Sequence, residues 1–290
     1  MSGPGAALPA DFVAALYRDA CRFDVIARKP GNVSLDSPGH GMTARDFLDS
    51  ARVTAPHVAA GGQGVGAGVR AAIDASWATV GCNTNLGIVL LAVPLASAAR
   101  EPGPGDLRHR VARVLAALDV HDARETYAAI RRASPAGLGE VEAGDVAREP
   151  CIGLREAMGL AADRDRIAWN YVHDYADVFE LGLPALRAGL APGEGLAAAA
   201  VRAYLRLLAA VPDTHVARKH GPAEAERVRR RASEVETSYE ACDTSGARDR
   251  VVETFDRELK LAGVNPGTSA DLTVASLFAM HLAAALEEAR

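Results

Sequence analysis

LGIVLLAVPLASAA, residues Leu86 to Ala99, is the longest apolar run in the chain, and its reading decides the fold. It is apolar on nearly every side, so a helix built from it belongs at the centre of a protein rather than at its surface. Its 14 residues fall short of the ~17 that a membrane-spanning helix needs, and Pro94 interrupts it. Working outward, Gly81 to Gly87 breaks the chain before it and EPGPG, Glu101 to Gly105, turns the chain after it.

The neighbouring segments carry apolar residues at steps of three and four, the mark of amphipathic helices. Phe12, Leu16, Ala20 and Phe23 place one helix over Asp11 to Ala27. Thr43 with Asp46 three residues later resembles a capped start for a second, running to about Ala60. The flexible stretch GGQGVGAG, Gly61 to Gly68, separates it from a helix over Val69 to Val80. Helices are expected at Asp106 to Leu118, Asp122 to Ala133, Leu154 to Glu180 with a break near Asp163, Leu196 to Ala210, and Pro222 to Cys242. Val251, Phe255 and Leu259 mark one more, and Leu272, Phe278, Leu282 and Leu286 the last. No segment alternates as a strand does. The expected fold is all-α, a compact multi-helix bundle, with a flexible arm over 1–10 and one helical catalytic domain over 11–290.

Composition agrees. Of 290 residues, 49% are hydrophobic, 24% charged and 5% aromatic, so the core is built largely from Ala, Leu and Val. A net charge of −5 gives no electrostatic reason to bind nucleic acid or an anionic membrane. Cys21, Cys82, Cys151 and Cys242 form no CxxC pair, which excludes zinc-ribbon and thioredoxin-like readings and suits packed thiols in a reducing cytoplasm. The first ten residues lack the charged and apolar regions of a signal peptide.

Chemistry concentrates in polar turns. KPGNVS, Lys29 to Ser34, places one of only three lysines beside a bend whose Gly31 and Asn32 turn backbone N–H groups one way, a phosphate-binding arrangement. A plain Pro-Gly turn accounts for the same string. His40 follows in that loop and could orient a substrate. NTNLG, Asn83 to Gly87, offers Asn83, Thr84 and Asn85 at the start of the apolar helix, where the dipole favours an anion or a simple cap. DTHVARKHG, Asp213 to Gly221, gathers Arg218 and Lys219 for a polyphosphate with Asp213 for a metal ion or hydroxyl; a solvated basic turn is the alternative. NPGTSADL, Asn265 to Leu272, opens the last helix with Gly267, Thr268 and Ser269 around an anion and Asp271 in its first turn. Asn170, His173, Asp174, Asp177 and Glu180 share one expected helix face, where Asp174 and Asp177 could hold Mg²⁺ through water or simply face solvent. There is no P-loop, HExxH, GxSxG or kinase signature, and no strand precedes GGQGVGAG to make it a dinucleotide fingerprint.

Taken in order, KPGNVS, the His40-Gly41-Met42 neighbourhood, NTNLG, DTHVARKHG and NPGTSADL resemble the triphosphoribosyl-dephospho-CoA synthase family from about residue 11 to the C-terminus. The resemblance implies an all-helical transferase that uses Mg-ATP. Such an enzyme joins C1 of the ATP ribose to the ribose 2′-hydroxyl of 3′-dephospho-CoA and releases adenine. On that basis Lys29, Arg218, Lys219 and the Gly267–Ser269 turn are assigned to phosphates, with Gly31, Asn32, Ser34 and His40 as further substrate-binding candidates. Nucleotide or ribose contacts fall to Asn83, Thr84 and Asn85, with Gly87 beside them as a substrate-binding candidate. Asp213 and Asp271 are the candidate catalytic carboxylates, for Mg²⁺ or as the base, with Asp174 and Asp177 as reserve Mg²⁺ ligands. Small-molecule substrates, a homodimer and a cytoplasmic location complete the expectation.

Two departures bear on the acceptor. Citrate-lyase-associated members typically read NTHKG where this chain has Asn85 and Leu86, and their central Thr-His-Gly segment is missing. The middle, SPAGLGEVEAGDV at Ser134 to Val146 and DRDRIAWNYVHDYADVF at Asp163 to Phe179, looks like a branch found with methanopterin-type one-carbon chemistry. A phosphoribosyl-type transferase or ligase acting on a pterin cofactor precursor is therefore the second reading. A non-catalytic nucleotide-binding subunit is the third.

Overall fold

The computed structural model describes residues 6–134, 146–190 and 195–289. Fourteen α-helices make up this part, with no named strand among the described residues. They are α1 (Ala10–Ile26), α2 (Ala44–Val58), α3 (Val65–Val80), α4 (Leu86–Arg100), α5 (Leu107–Ala116), α6 (Val120–Ala133) and α7 (Leu154–Gly159). After α8 (Arg166–Val172) comes a π-helical turn (Asp177–Gly182), then α9 (Leu183–Gly189), α10 (Leu196–Ala210), α11 (Thr214–His220), α12 (Pro222–Glu240), α13 (Ser245–Leu261) and α14 (Gly267–Glu288). The all-α expectation holds.

The centre is α4 against α14. Nearly every side chain of α4 is buried, as its apolar circumference requires. Around this pair, α1, α2, α3 and α6 pack as one group and α9, α10 and α12 as another, and α1 also touches α14. α14 is long and apolar enough by length and composition to cross a membrane, but 72% of its most apolar stretch is buried inside the protein.

Pro94 in the middle of α4 has a structural consequence. It carries no N–H, so the carbonyl of Leu90, four residues earlier, loses its helical partner. The fully buried Tyr171 donates its hydroxyl to that carbonyl at 2.6 Å, and Tyr175 donates to the Leu91 carbonyl at 3.1 Å. Tyr171→Phe should leave the Leu90 carbonyl only the long 3.4 Å hydrogen bond from Tyr175 and cost about 1 kcal/mol. A urea midpoint that falls with an unchanged slope would show it.

Four expectations are corrected. α3 begins at Val65, inside the glycine-rich stretch, because Asp122 Oδ1 accepts the Gly66 N–H at 2.8 Å. Only glycine fits there, since a Cβ on Gly66 would lie 2.4 Å from the Asp122 carbonyl oxygen. The long helix expected up to Glu180 stops at Val172, where Asp174 and Tyr175 adopt φ of 48° and 58°. Asp174 and Asp177 therefore share no helix face. The turn expected at Asp213 to Gly221 is mostly the short helix α11. All four cysteines are free, but only Cys21 is buried and Cys151 is exposed. Most of the loop expected from Ser134 to Gly153 lies outside the described residues.

Candidate active site

The motifs meet at a cavity of about 400 Å³. Its wall is formed by the end of α1 and the loop after it, the start of α4, the turn before α8, α11, and the start of α14.

Gly31 brings two of the motifs together. It sits at φ +82°, where a Cβ would meet Pro266 Cδ at 2.8 Å and the Val264 carbonyl at 2.9 Å. Its N–H donates to Asp256 Oδ1 at 2.8 Å, and Tyr204 donates to the Pro30 carbonyl at 2.6 Å. KPGN thus lies directly on the NPG turn ahead of α14, and Asn32 Nδ2 donates to the Pro266 carbonyl at 3.3 Å. Asn32 and His40 face the cavity, with His40 Nε2 donating to the Gly31 carbonyl at 2.9 Å. Lys29, Gly31 and Ser34 do not line it. Ser34 donates to Asp36, and the Lys29 ammonium is buried, bonded to the Asp24 carbonyl and 2.8 Å from Asp24 Oδ1. A lysine consumed in this way holds a carboxylate, not a phosphate.

At the start of α4, Asn83 Oδ1 accepts the Leu86 N–H at 3.2 Å and Thr84 shares a 2.6 Å hydrogen bond with Ser50. Asn85 Oδ1 accepts from Ser76 at 3.2 Å, while its Nδ2 is buried without a partner. All three line the cavity, as does Gly87, where a Cβ would fall 2.0 Å from Asp271 Oδ2.

Asp213 caps both α11 and α14. Oδ1 accepts the N–H groups of His215 and Val216 at 2.9 and 3.1 Å, and Oδ2 accepts the N–H and hydroxyl of Ser269 at 2.8 Å each. Neither Asp213 nor Ser269 reaches the cavity. A carboxylate with four internal donors is fully occupied, which takes it out of the base and metal roles expected from the sequence. Asp174 pairs with Arg155 at 2.7 Å, and Asp177 is gripped by Arg166 at 2.7 and 2.8 Å with Asn170 beside it. Both also lie outside the cavity.

What remains in the cavity is Arg218, Lys219, Gly267, Thr268 and Asp271. Arg218 Nη1 donates to Asp165 Oδ2 at 2.7 Å, and that aspartate also caps α8 through Oδ1. Asp271 takes no hydrogen bond or ion pair from the described residues. Burial, then the charge of Asp24, pushes its carboxyl well above the usual range, while Arg218 pulls the other way.

Sequence reasoning missed Asp24, Asp165 and His215. Asp24 had a signal: it falls on the buried stripe of α1 with Val13, Tyr17 and Cys21, a carboxylate where a packed helix calls for an apolar side chain. His215 lies against Gly267, whose Cβ would come within 2.7 Å of Nδ1. Burial first, then Lys219 and Arg218, lowers its pKa from 6.5 to about 3, so it is neutral at physiological pH. The unfolded chain then binds a proton that the folded one refuses as pH drops below 6.5. Stability is full above that value and declines toward about pH 3. His215→Gln should flatten this decline, bringing urea midpoints at about pH 4.5 and about pH 7.5 closer together than in wild type.

Among the described residues, an all-helical core carries a cavity in which basic side chains stand beside a carboxylate without a partner, an arrangement suited to a charged, phosphate-bearing substrate. The chain belongs to the CitG family, ATP:dephospho-CoA triphosphoribosyl transferase, which matches residues 10–290. It is similar to a crystal structure from Archaeoglobus fulgidus provisionally assigned as a triphosphoribosyl-dephospho-CoA synthase. The two are 28% identical with a TM-score of 0.63, covering 81% of this chain and 98% of that one. No curated protein matches.

Proposed function

We propose that this cavity carries out the family's transfer, joining the triphosphoribosyl group of ATP to an acceptor hydroxyl and releasing adenine. The observation that carries the reading is Asp271: a carboxylate with no partner among the described residues, set in the same cavity as Arg218 and Lys219. A half-buried carboxylate without a partner is costly to keep unless it serves chemistry. The triphosphate lies toward Arg218, Lys219 and the Gly267–Thr268 start of α14, whose N-terminal dipole favours an anion. Asn83, Thr84, Asn85, Asn32 and His40 surround the nucleoside, and the reacting C1 faces Asp271. Displacement at C1 passes through an oxocarbenium-like state, so positioning and proton transfer are the protein's main contributions.

Mg²⁺ enters with the nucleotide. Among the described residues no three His, Cys, Asp or Glu side chains converge as a metal cage. The ion would be held by phosphate oxygens and water, as Mg²⁺ commonly is. The cytoplasm, where ATP is abundant, and the expected homodimer belong to the same proposal; sedimentation velocity tests the dimer.

Dephospho-CoA is the acceptor in this reading. The absence of a basic side chain at Asn85 and Leu86, together with an apolar wall of Leu86, Tyr127, Ile130 and Met158, supports a pterin precursor as the second. Purified protein with Mg-ATP should release adenine when dephospho-CoA is added. Adenine only with a pterin precursor selects the second reading. ADP or AMP with every acceptor contradicts transfer, and ATP bound but never consumed leaves a nucleotide-binding subunit.

A further inference from the structure

Asp24 and Asp271 are both cavity carboxylates, but the protein treats them differently. Asp24, at the end of α1, has the buried Lys29 ammonium 2.8 Å from Oδ1, and its Oδ2 takes no hydrogen bond from the described residues. Asp271, just past the first turn of α14, has no cation bonded to it among the described residues. Arg218, the cation that acts on Asp271, is tied to Asp165, and Asp213 is fully occupied by its caps. Two neighbouring carboxylates cannot both ionise freely, and when one is given a cation and the other is not, their acid and base roles separate.

We propose that Asp24 is a second catalytic residue: it is the base that takes the proton of the acceptor hydroxyl, Asp271 is the acid that protonates the departing adenine, and Lys29, 2.8 Å from Asp24 Oδ1, is the positioning residue that holds the Asp24 carboxylate in place. This rests on the transfer reading above and divides its chemistry. The C1–N bond breaks with its electron pair going to adenine, which receives the Asp271 proton. The hydroxyl oxygen bonds to C1, and its proton passes to Asp24. Moving that proton from Asp24 back to Asp271, through water after product leaves, restores both groups. The buried Lys29, which packing alone does not require, is thereby explained.

The test compares wild type, Asp271→Asn, and Asp24→Asn combined with Lys29→Met so that no unpaired charge is buried. Adenine release is followed with ATP and with N7-methyl-ATP, whose base departs neutral without a proton; azide serves as an acceptor with no proton to lose. Asp271→Asn should lose roughly 10²–10⁴-fold with ATP and recover with N7-methyl-ATP. The Asp24 double variant should lose a similar factor with dephospho-CoA, recover with azide to give a triphosphoribosyl azide, and gain nothing from N7-methyl-ATP. Should that variant not fold, Asp24→Glu, which keeps the ion pair but displaces the oxygens, should show the same azide-specific recovery. Reversed rescue, or rescue of neither in an active wild-type background, overturns the division of roles and leaves the transfer reading standing. A wild type that releases adenine from neither nucleotide, with hydroxyl acceptors or with azide, overturns the transfer reading itself.

Discussion

Asp271→Asn should abolish nearly all turnover and at the same time make the protein more stable. The loss follows from removing the proton-transferring group, an effect of roughly 10²–10⁴-fold for general acid–base catalysis. The gain follows from its surroundings: the carboxyl has no partner among the described residues, and burial and the charge of Asp24 push its pKa well above the usual value. A carboxyl whose pKa is raised by folding favours the folded state only while protonated, so it destabilises as pH rises through that value. The amide of Asn never ionises. The variant's Tm should therefore exceed wild type at neutral pH, with the difference shrinking toward acid. A lower Tm with intact activity would show instead that Asp271 is an ordinary part of the scaffold.

Asp213→Ala should have the opposite signature. Three donors on two helix starts would lose their acceptor at once, the N–H of Val216 and the N–H and hydroxyl of Ser269, while the His215 N–H would keep only Thr268 Oγ1 at 3.1 Å. Losing a helix cap alone costs ~1 kcal/mol, and each buried donor left bare costs about 1–3 kcal/mol, so a loss of several kcal/mol is expected. Activity should fall because α11 and α14 lose their mutual register and carry Arg218, Gly267 and Thr268 with them. Asp213→Asn, which keeps an acceptor oxygen, should retain part of both, and thermal unfolding alongside activity separates this from a catalytic role. Full stability with complete loss of turnover would restore Asp213 to the chemistry.

These two aspartates show where the sequence is legible and where it is not. Both stand in polar turns that open helices, and spacing alone treats them alike. They differ in partners brought from 56 residues away, the distance in sequence between Asp213 and Ser269. Lys29 looked available for phosphate because its partner, Asp24, is hidden within an otherwise ordinary amphipathic helix. The elements that read correctly are those fixed by local pattern: α4 by its unbroken apolar circumference, α10 by a clean three-and-four spacing, and the start of α2 by Thr43, whose N–H and hydroxyl both donate to Asp46. Those that did not are fixed by tertiary contact. α3 extends into glycines because Asp122 supplies an acceptor, and the helix before the π-turn breaks where Arg155 holds Asp174 and Tyr175 reaches back to α4. The convergence of KPGN, NTNLG and NPGTSADL was implied by resemblance; its physical cause is the bare Cα of Gly31 lying against Val264 and Pro266.

The central claim is that these separate turns build one nucleotide site, and a crystal structure with a non-hydrolysable ATP analogue tests it most directly. The account predicts the triphosphate against Arg218, Lys219 and the start of α14, with the ribose C1 facing Asp271 and Asp24. Nucleotide bound elsewhere on the protein, or in this cavity with its ribose turned away from both carboxylates, would contradict it.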